Sequence, residues 1–206
     1  MNSLQDRFGN IDIYVFDQLL RGRIAPGMRI FDAGCGGGRN IGYLLREGYD
    51  VSVNDRDPQA VARTLALAES VAPNVSHDFR VEAIEDTSFE AGSFDVVIAS
   101  AVLHFARDDA HFSSMVRQLW RVLKPGGMFF ARLASTIGLE GDMQPIGEHR
   151  YRLPDGSDRY LVDARTLERV TEELGGEWLD PIKTTVVHEQ RSMTTWVVRK
   201  AMPGTI

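Results

Sequence analysis

Residues 29–40 read RIFDAGCGGGRN, and everything else in the chain is placed relative to them. A short apolar run, Ile30-Phe31, leads to the acid Asp32. Four glycines then fall within five positions, Gly34, Gly36, Gly37 and Gly38, interrupted only by Cys35. After Arg39-Asn40 an amphipathic pattern begins. This order predicts a strand, a tight glycine loop and the start of a helix. Glycine lets the main chain take positive φ cheaply and lets a ligand press against it. Free N–H groups at a helix start favour an electron-rich ligand. The loop is therefore expected to hold a cofactor.

The chain has 206 residues, 43% of them hydrophobic and 25% charged, which suits one globular domain with a proper core. The net charge of −6 is spread along the chain without a basic stripe, so no nucleic-acid partner is expected. With Cys35 as the single cysteine, neither an internal disulfide nor a cysteine metal cluster can form, and no metal site is expected. No apolar run approaches the roughly 20 residues of a membrane span, and residues 1–12 are polar, unlike a signal peptide. The expectation is a cytoplasmic protein with no membrane partner.

Along the chain, residues 12–22 predict a short helix with Ile13, Phe16, Leu19 and Leu20 on its buried face. Residues 1–27 form a helical cover over the sheet edge or a lid over the site. Strand one spans residues 28–33, and the following helix turns Ile41, Leu44 and Leu45 inward and ends at Gly48. Strand two, residues 51–53, leads to Asn54-Asp55. Asp57-Pro58 then starts a helix with Val61, Leu65 and Ala68 inward. Residues 79–83 are a short strand, and residues 94–100 (FDVVIAS) read as a central parallel strand. Phe112, Met115, Val116, Leu119, Trp120 and Leu123 define a strongly periodic helix, stopped by Lys124-Pro125-Gly126-Gly127 before a strand at 128–133. This alternation means α/β with a parallel sheet. Beyond it, residues 135–147 read as loop, and 150–153 and 159–162 as a hairpin around Pro154-Asp155-Gly156-Ser157. A helix capped by Asp163 and strands at 182–188 and 194–199 complete the chain. No linker divides it, so one domain, 1–206, carries an inserted loop and hairpin at 134–162.

Two cofactor types use a strand, glycine loop and helix. Aligning Gly34 and Gly36 with the first two glycines of the dinucleotide fingerprint puts Arg39 where that fingerprint needs a small third residue. This disfavours a nucleotide-dependent oxidoreductase. Asp55 lies 21 residues after Gly34 (55 less 34), at the end of strand two. An acid there can accept from both ribose hydroxyls, because neighbouring strands ~4.8 Å apart bring it to the same crevice as the loop. The alternative, an acid that merely faces a helix N-terminus, is already served by Asp57.

The chain resembles the class I S-adenosylmethionine-dependent methyltransferases. The resemblance is carried by residues 31–38 (FDAGCGGG), Asp55 with Pro58, residues 94–97 (FDVV) and residues 123–127 (LKPGG), in the family's order and spacing. It covers roughly residues 28–133. The ending Gly38-Arg39-Asn40 is also similar to the tellurite-resistance branch of small-molecule methyltransferases. The resemblance implies a Rossmann-like three-layer sandwich: a mostly parallel seven-stranded sheet with an antiparallel last strand and a hairpin insertion after strand five. It implies that Gly34, Gly36 and Gly38 let the methionine part of S-adenosyl-L-methionine lie on the backbone. Asp32 would place the amino end, Asp55 the ribose, and Arg56 would flank the adenine. Cys35, Asn40 and Ser100 complete the candidate cofactor shell, although Cys35 itself reads as a small packing residue. The acid that often meets the adenine amine would fall at Ala83, so Glu82, Glu85 or the backbone of Ile84 must serve instead.

Methyl transfer from a sulfonium needs positioning more than side-chain chemistry. Ligands of open α/β sheets sit beyond the carboxyl ends of the strands, which points to residues 100–104 and 132–136, and to the turn at 189–191. His104 is the candidate general base, against the simpler reading that it packs or orients a small-molecule acceptor. His149, Arg150 and Tyr151 open the inserted hairpin and could cap that acceptor. Arg191 could meet an anion. His77 and His111 are expected at the surface. Besides an enzyme, the residues allow a non-catalytic protein that binds the same cofactor.

Overall fold

The computed structural model describes residues 3–73, 75–139, 143–188, 190–202 and 204. Two N-terminal helices, α1 (Leu4–Phe8) and α2 (Ile13–Leu20), precede strand β1 (Arg29–Ala33). Then come α3 (Gly42–Arg46), β2 (Asp50–Asp55), α4 (Pro58–Val71), β3 (Phe79–Val81), β4 (Phe94–Ser100), α5 (Asp109–Val122) and β5 (Leu123–Ala134). The last part holds β6 (Gln144–Gly147), β7 (Arg150–Arg152), β8 (Asp158–Tyr160), α6 (Ala164–Glu173), β9 (Gly176–Trp178), β10 (Lys183–Val187) and β11 (Arg191–Lys200).

The main sheet runs β10-β11-β5-β4-β1-β2-β3, with β9 pairing β11 as an eighth strand. Strands β3, β2, β1, β4 and β5 are parallel; β11 is antiparallel to β5, β9 and β10. Alternation along each strand divides the core. Phe31, Val97, Ala99, Phe129, Ala131 and Trp196 point to the side covered by α5 and α6. Ile30, Val96, Ile98, Phe130 and Val197 point to the side of α2 and α3. Burial on both faces is what makes the parallel strands read as continuous apolar runs. From β1 the chain order runs outward both ways, to β2 and β3 on one side and to β4 and β5 on the other. The gap between β1 and β4 is therefore the topological switch point, where open α/β sheets leave a crevice.

Several expectations change. In α2 the buried residues are Val15 and Gln18, while Ile13 is 70% and Leu20 73% exposed. The helix is rotated by its own N-cap, because the Asp12 side chain is drawn inward to Arg39, Arg132 and Ser100. Leu65 lies at the margin of α4, whose inner face is instead Ala60, Val61, Thr64 and Ala68. Helix α3 is only five residues long, and residues 34–41 are successive turns, Gly38 N–H bonding Cys35 C=O and Ile41 N–H bonding Gly38 C=O. The expected loop at 135–147 contains strand β6, which joins β7 and β8 in a three-stranded antiparallel sheet. Ser135, expected to border the site, is buried and tied to Ser192 and Thr194. Gly141, within the expected loop at 135–147, and Glu189, within the expected turn at 189–191, lie outside the described residues.

Candidate functional site

A cavity of about 290 Å³ opens at the carboxyl ends of β1, β2 and β4, lined among others by Gly34, Gly36, Asp55, Arg56, Ala83, Ile84 and Glu85. Its other wall is built from Ala101, Val102, Phe105, His111 and Met115. The volume falls at the lower end of the range usual for small-molecule sites. Each wall has a local cause. Gly34 (φ 67°) and Gly36 (φ 56°) turn the chain sharply after β1. A side chain at Gly34 would place its Cβ 2.4 Å from Val102 Cγ2, whereas one at Gly36 would meet nothing within 4 Å among the described residues. The loop and the segment after β4 are thus in contact at Gly34, and Gly36 faces open space.

Asp55 ends β2 and holds the loop. One carboxylate oxygen accepts from Gly36 N–H at 3.0 Å and the other from Asp57 N–H at 2.9 Å. Asp57 in turn caps α4 through Gln59 N–H. The main-chain N–H groups of Gly34 and Cys35 both bond Asn54 C=O at 3.0 Å. The N–H groups of Gly34, Cys35, Gly36 and Gly38 are therefore engaged by the chain itself, which narrows the expectation of free amides at a helix start. Ala101, the first residue after β4, has φ 62°, an uncommon conformation for a residue with a Cβ. Such outliers concentrate at functional sites.

Of the eleven cofactor candidates, Gly34, Gly36, Asp55, Arg56, Ile84 and Glu85 line the cavity. The others have structural partners. Gly38 packs on α4, where an added Cβ would lie 3.1 Å from Leu67 and 3.2 Å from Thr64. Cys35 is buried with its thiol toward Thr64, and burial pushes its pKa up to about 12, so it is no thiolate nucleophile. Asn40 accepts from the Asp12 main-chain N–H at 3.0 Å. Ser100 donates to Asp12 at 3.0 Å and accepts from Arg39 at 2.8 Å. Arg39, which disqualified the dinucleotide fingerprint, thus ties the cap of α2 to the end of β4.

Asp32 is the exception. It is fully buried below the loop, and its Oδ2 has no hydrogen-bond partner among the described residues. Burial raises its pKa to about 7, against the opposing pull of Arg39. An orphaned buried carboxylate oxygen is costly, and a cationic group on a ligand would relieve it.

His104 is also buried, and it lies outside the cavity wall. Its Nδ1 accepts weakly from Ala134 N–H at 3.4 Å, and its ring lies 4.7 Å from Phe105. Burial, helped by the positive charge of Arg159, lowers its pKa to about 4. A proton affinity roughly 300-fold below that of free imidazole makes it a weak base at neutral pH.

His111 was expected at the surface. It is instead buried and lines the cavity, as does Met115 one turn later. The cap Asp108 starts α5 so that His111 lies three residues in, on the face that also carries Phe112 and Met115. That shared face was a readable signal. His77 is half-buried against Phe79 and away from the cavity.

The small sheet β6-β7-β8 docks over the cavity's edge. Arg159 stacks on Phe105 at 4.8 Å, Tyr160 stacks on Phe112 at 4.9 Å, and Arg150 donates to Ala106 C=O. His149 and the Tyr160 hydroxyl both reach Asp109, at 2.7 and 2.9 Å. Arg191 is exposed.

The signature of the methyltransferase domain matches residues 31–131. A ubiquinone biosynthesis O-methyltransferase of Xanthomonas campestris pv. campestris is 30% identical over 168 residues, covering 76% of this chain and 68% of its own. Among solved structures, a SAM-dependent methyltransferase of Methanosarcina mazei superposes with a TM-score of 0.71 at 21% identity, covering 89% of this chain and 97% of its own. A Burkholderia thailandensis 1,6-didemethyltoxoflavin-N1-methyltransferase, solved with 1,6-didemethyltoxoflavin and S-adenosylhomocysteine, gives a TM-score of 0.71 at 15% identity, covering 94% and 79%. These relatives lend no support to the tellurite-resistance likeness.

Proposed function

The chain belongs to the S-adenosylmethionine-dependent methyltransferase family, and from that premise we propose that it methylates a small molecule presented beside the cavity between β1 and β4. The observation that carries this reading is the convergence of Gly34, Gly36, Asp55, Ile84 and Glu85 on one cavity at the sheet's switch point. S-adenosylmethionine supplies an electrophilic methyl group when bound. The protein's part is to bind, orient and exclude water.

Asp55 holds the ribose, the Gly34–Gly36 turn carries the methionine part, Arg56 and Ile84 flank the base, and Asp32 meets the amino group. Helix α2, pinned through its cap Asp12, and the small sheet on Phe105 enclose the acceptor. His104, neutral near pH 7, offers Nε2 to orient an acceptor hydroxyl and contributes little as a base. A small acceptor is supported by the Xanthomonas relative, which is named as an O-methyltransferase of ubiquinone biosynthesis.

A screen of phenols, amines, thiols and carboxylic acids, read as S-adenosylhomocysteine formed, tests the reading. Acceptor-dependent turnover is the expected result. Tight cofactor binding with no turnover on any acceptor class would instead favour a non-catalytic cofactor-binding protein.

The Asp32 role makes a pH prediction. Its carboxyl has a pKa of about 7 before binding, and a ligand ammonium favours the ionised form. Below pH 7 binding therefore releases a proton, and affinity falls by up to about tenfold per pH unit; above pH 7 neither occurs. Calorimetry of S-adenosylhomocysteine binding at pH 6, in buffers of different ionisation enthalpy, should show this release, and Asp32→Asn should abolish it. No proton release by the unsubstituted protein at pH 6 would remove Asp32 from this role.

A further inference from the structure

Arg159 brings a positive charge without a counter-charge to the edge of the cavity. It is half-buried in β8, and its guanidinium stacks on Phe105, a residue of the cavity wall, at 4.8 Å. Stacking engages the flat face of a guanidinium and leaves its N–H edge for hydrogen bonds. On that edge, Nη1 donates to the Asp158 main-chain carbonyl at 2.8 Å. Among the described residues no carboxylate forms an ion pair with Arg159, because those around it are committed elsewhere. Asp158 takes Arg152, Asp155 takes the N–H and hydroxyl of Ser157, and Asp109 takes His149 and Tyr160. In a chain of net charge −6, a partly buried cation without an acid is set up for an anion from outside.

The register of the small sheet says where this cation faces. Arg159 on β8 is opposite Tyr151 on β7, and Tyr160 is opposite Arg150. Opposed residues share a face and successive ones alternate. Tyr160 and Arg150 form one face, stacked on Phe112 and bonded to Ala106 C=O. Tyr151 and Arg159 form the other. There Tyr151 packs on the cluster of Ala134, Leu153 and Leu161, and Arg159 on Phe105. Ala134 ends β5 and Phe105 follows β4, so this face covers the carboxyl ends of those two strands. His104, on the same segment, feels the charge of Arg159.

We propose that the methyl acceptor carries a carboxylate, which the N–H edge of Arg159 binds while the acceptor's apolar part rests against Phe105 and Tyr151. The inference rests on the reading that the acceptor lies beside the cofactor cavity. A guanidinium fork matches a planar carboxylate and binds it better than a neutral amide of the same shape. Arg107 is the natural comparison: its side chain is 67% exposed and turned to Glu85, so water screens it and an acid already faces it.

Ligand-observed NMR titration of the S-adenosylhomocysteine complex with benzoate and phenylacetate, each against its amide, tests the proposal. The acids should bind at least about tenfold more tightly than the amides. Arg159→Gln should abolish this preference by weakening the acids, with the amides unchanged within about twofold. Arg159→Lys, charged but without the fork, should keep part of the preference, and Arg107→Gln should keep all of it. Equal affinity for acids and amides, no binding of either acid, or an undiminished preference in Arg159→Gln overturns the proposal. Equal weakening of acids and amides by Arg159→Gln would reduce the residue to packing on Phe105 and overturn it too, as would loss of the preference in Arg107→Gln. If S-adenosylhomocysteine itself fails to bind, the cofactor reading falls, a result separate from a missing preference for acids.

Discussion

Gly36→Val is expected to reduce S-adenosylhomocysteine affinity by ~100-fold or more, about 2.8 kcal/mol, while the protein still folds. Gly36 lines the cavity, and a Cβ there would point into space free of protein atoms within 4 Å. The added side chain therefore occupies ligand volume and collides with nothing in the fold. The cost to the fold is conformational: a β-branched residue must adopt φ 56°, a strain of about 1–3 kcal/mol. At roughly 2–4 °C per kcal/mol, melting should fall by about 2–12 °C. Gly34→Ala makes the useful contrast. Its Cβ would lie 2.4 Å from Val102 Cγ2, so that substitution must disturb the fold and the site together. Calorimetry and a melting curve on Gly36→Val separate the two effects, and wild-type affinity in that variant would mean the ligand does not lie on this loop.

Asp55→Ala is expected to weaken the same ligand by at least ~1.5–3 kcal/mol, the range of a charge-assisted hydrogen bond. That bound comes from the ribose contact alone. The carboxylate also receives the N–H groups of Gly36 and Asp57, so its loss frees the glycine turn and the entry to α4. Binding should consequently fall further than the ribose bond predicts, with a modest drop in melting temperature. Unchanged affinity in Asp55→Ala would take this residue out of the ribose role.

Much of this architecture was legible in the sequence because its causes are local or periodic. The run at 94–100 is apolar because β4 is buried on both faces. The glycine turn, Asp55 and the Asp57-Pro58 cap announce themselves by residue type. What escaped depends on long-range polar contacts. The face of α2 is chosen by Asp12, which sits 120 positions before Arg132 in sequence and beside it in space. Strand β9 is three residues beside β11 and has no period of its own to read. Of the three groups named for the adenine edge, Glu82 accepts from Ser88, the Ile84 carbonyl from Thr87 N–H, and Glu85 pairs with His111, contacts that no local pattern announces. His111 was misplaced because histidine suits either environment, and its burial follows from the turn at Ile84–Asp86 packing on α5.

If the cavity between β1 and β4 seats S-adenosylmethionine, a titration of the unsubstituted protein with S-adenosylhomocysteine, with NADH as the comparison, will show it. Saturable one-to-one binding of the first, a higher melting temperature in its presence and no response to NADH are predicted. Binding of NADH with no response to S-adenosylhomocysteine would mean that the cavity does not seat S-adenosylmethionine.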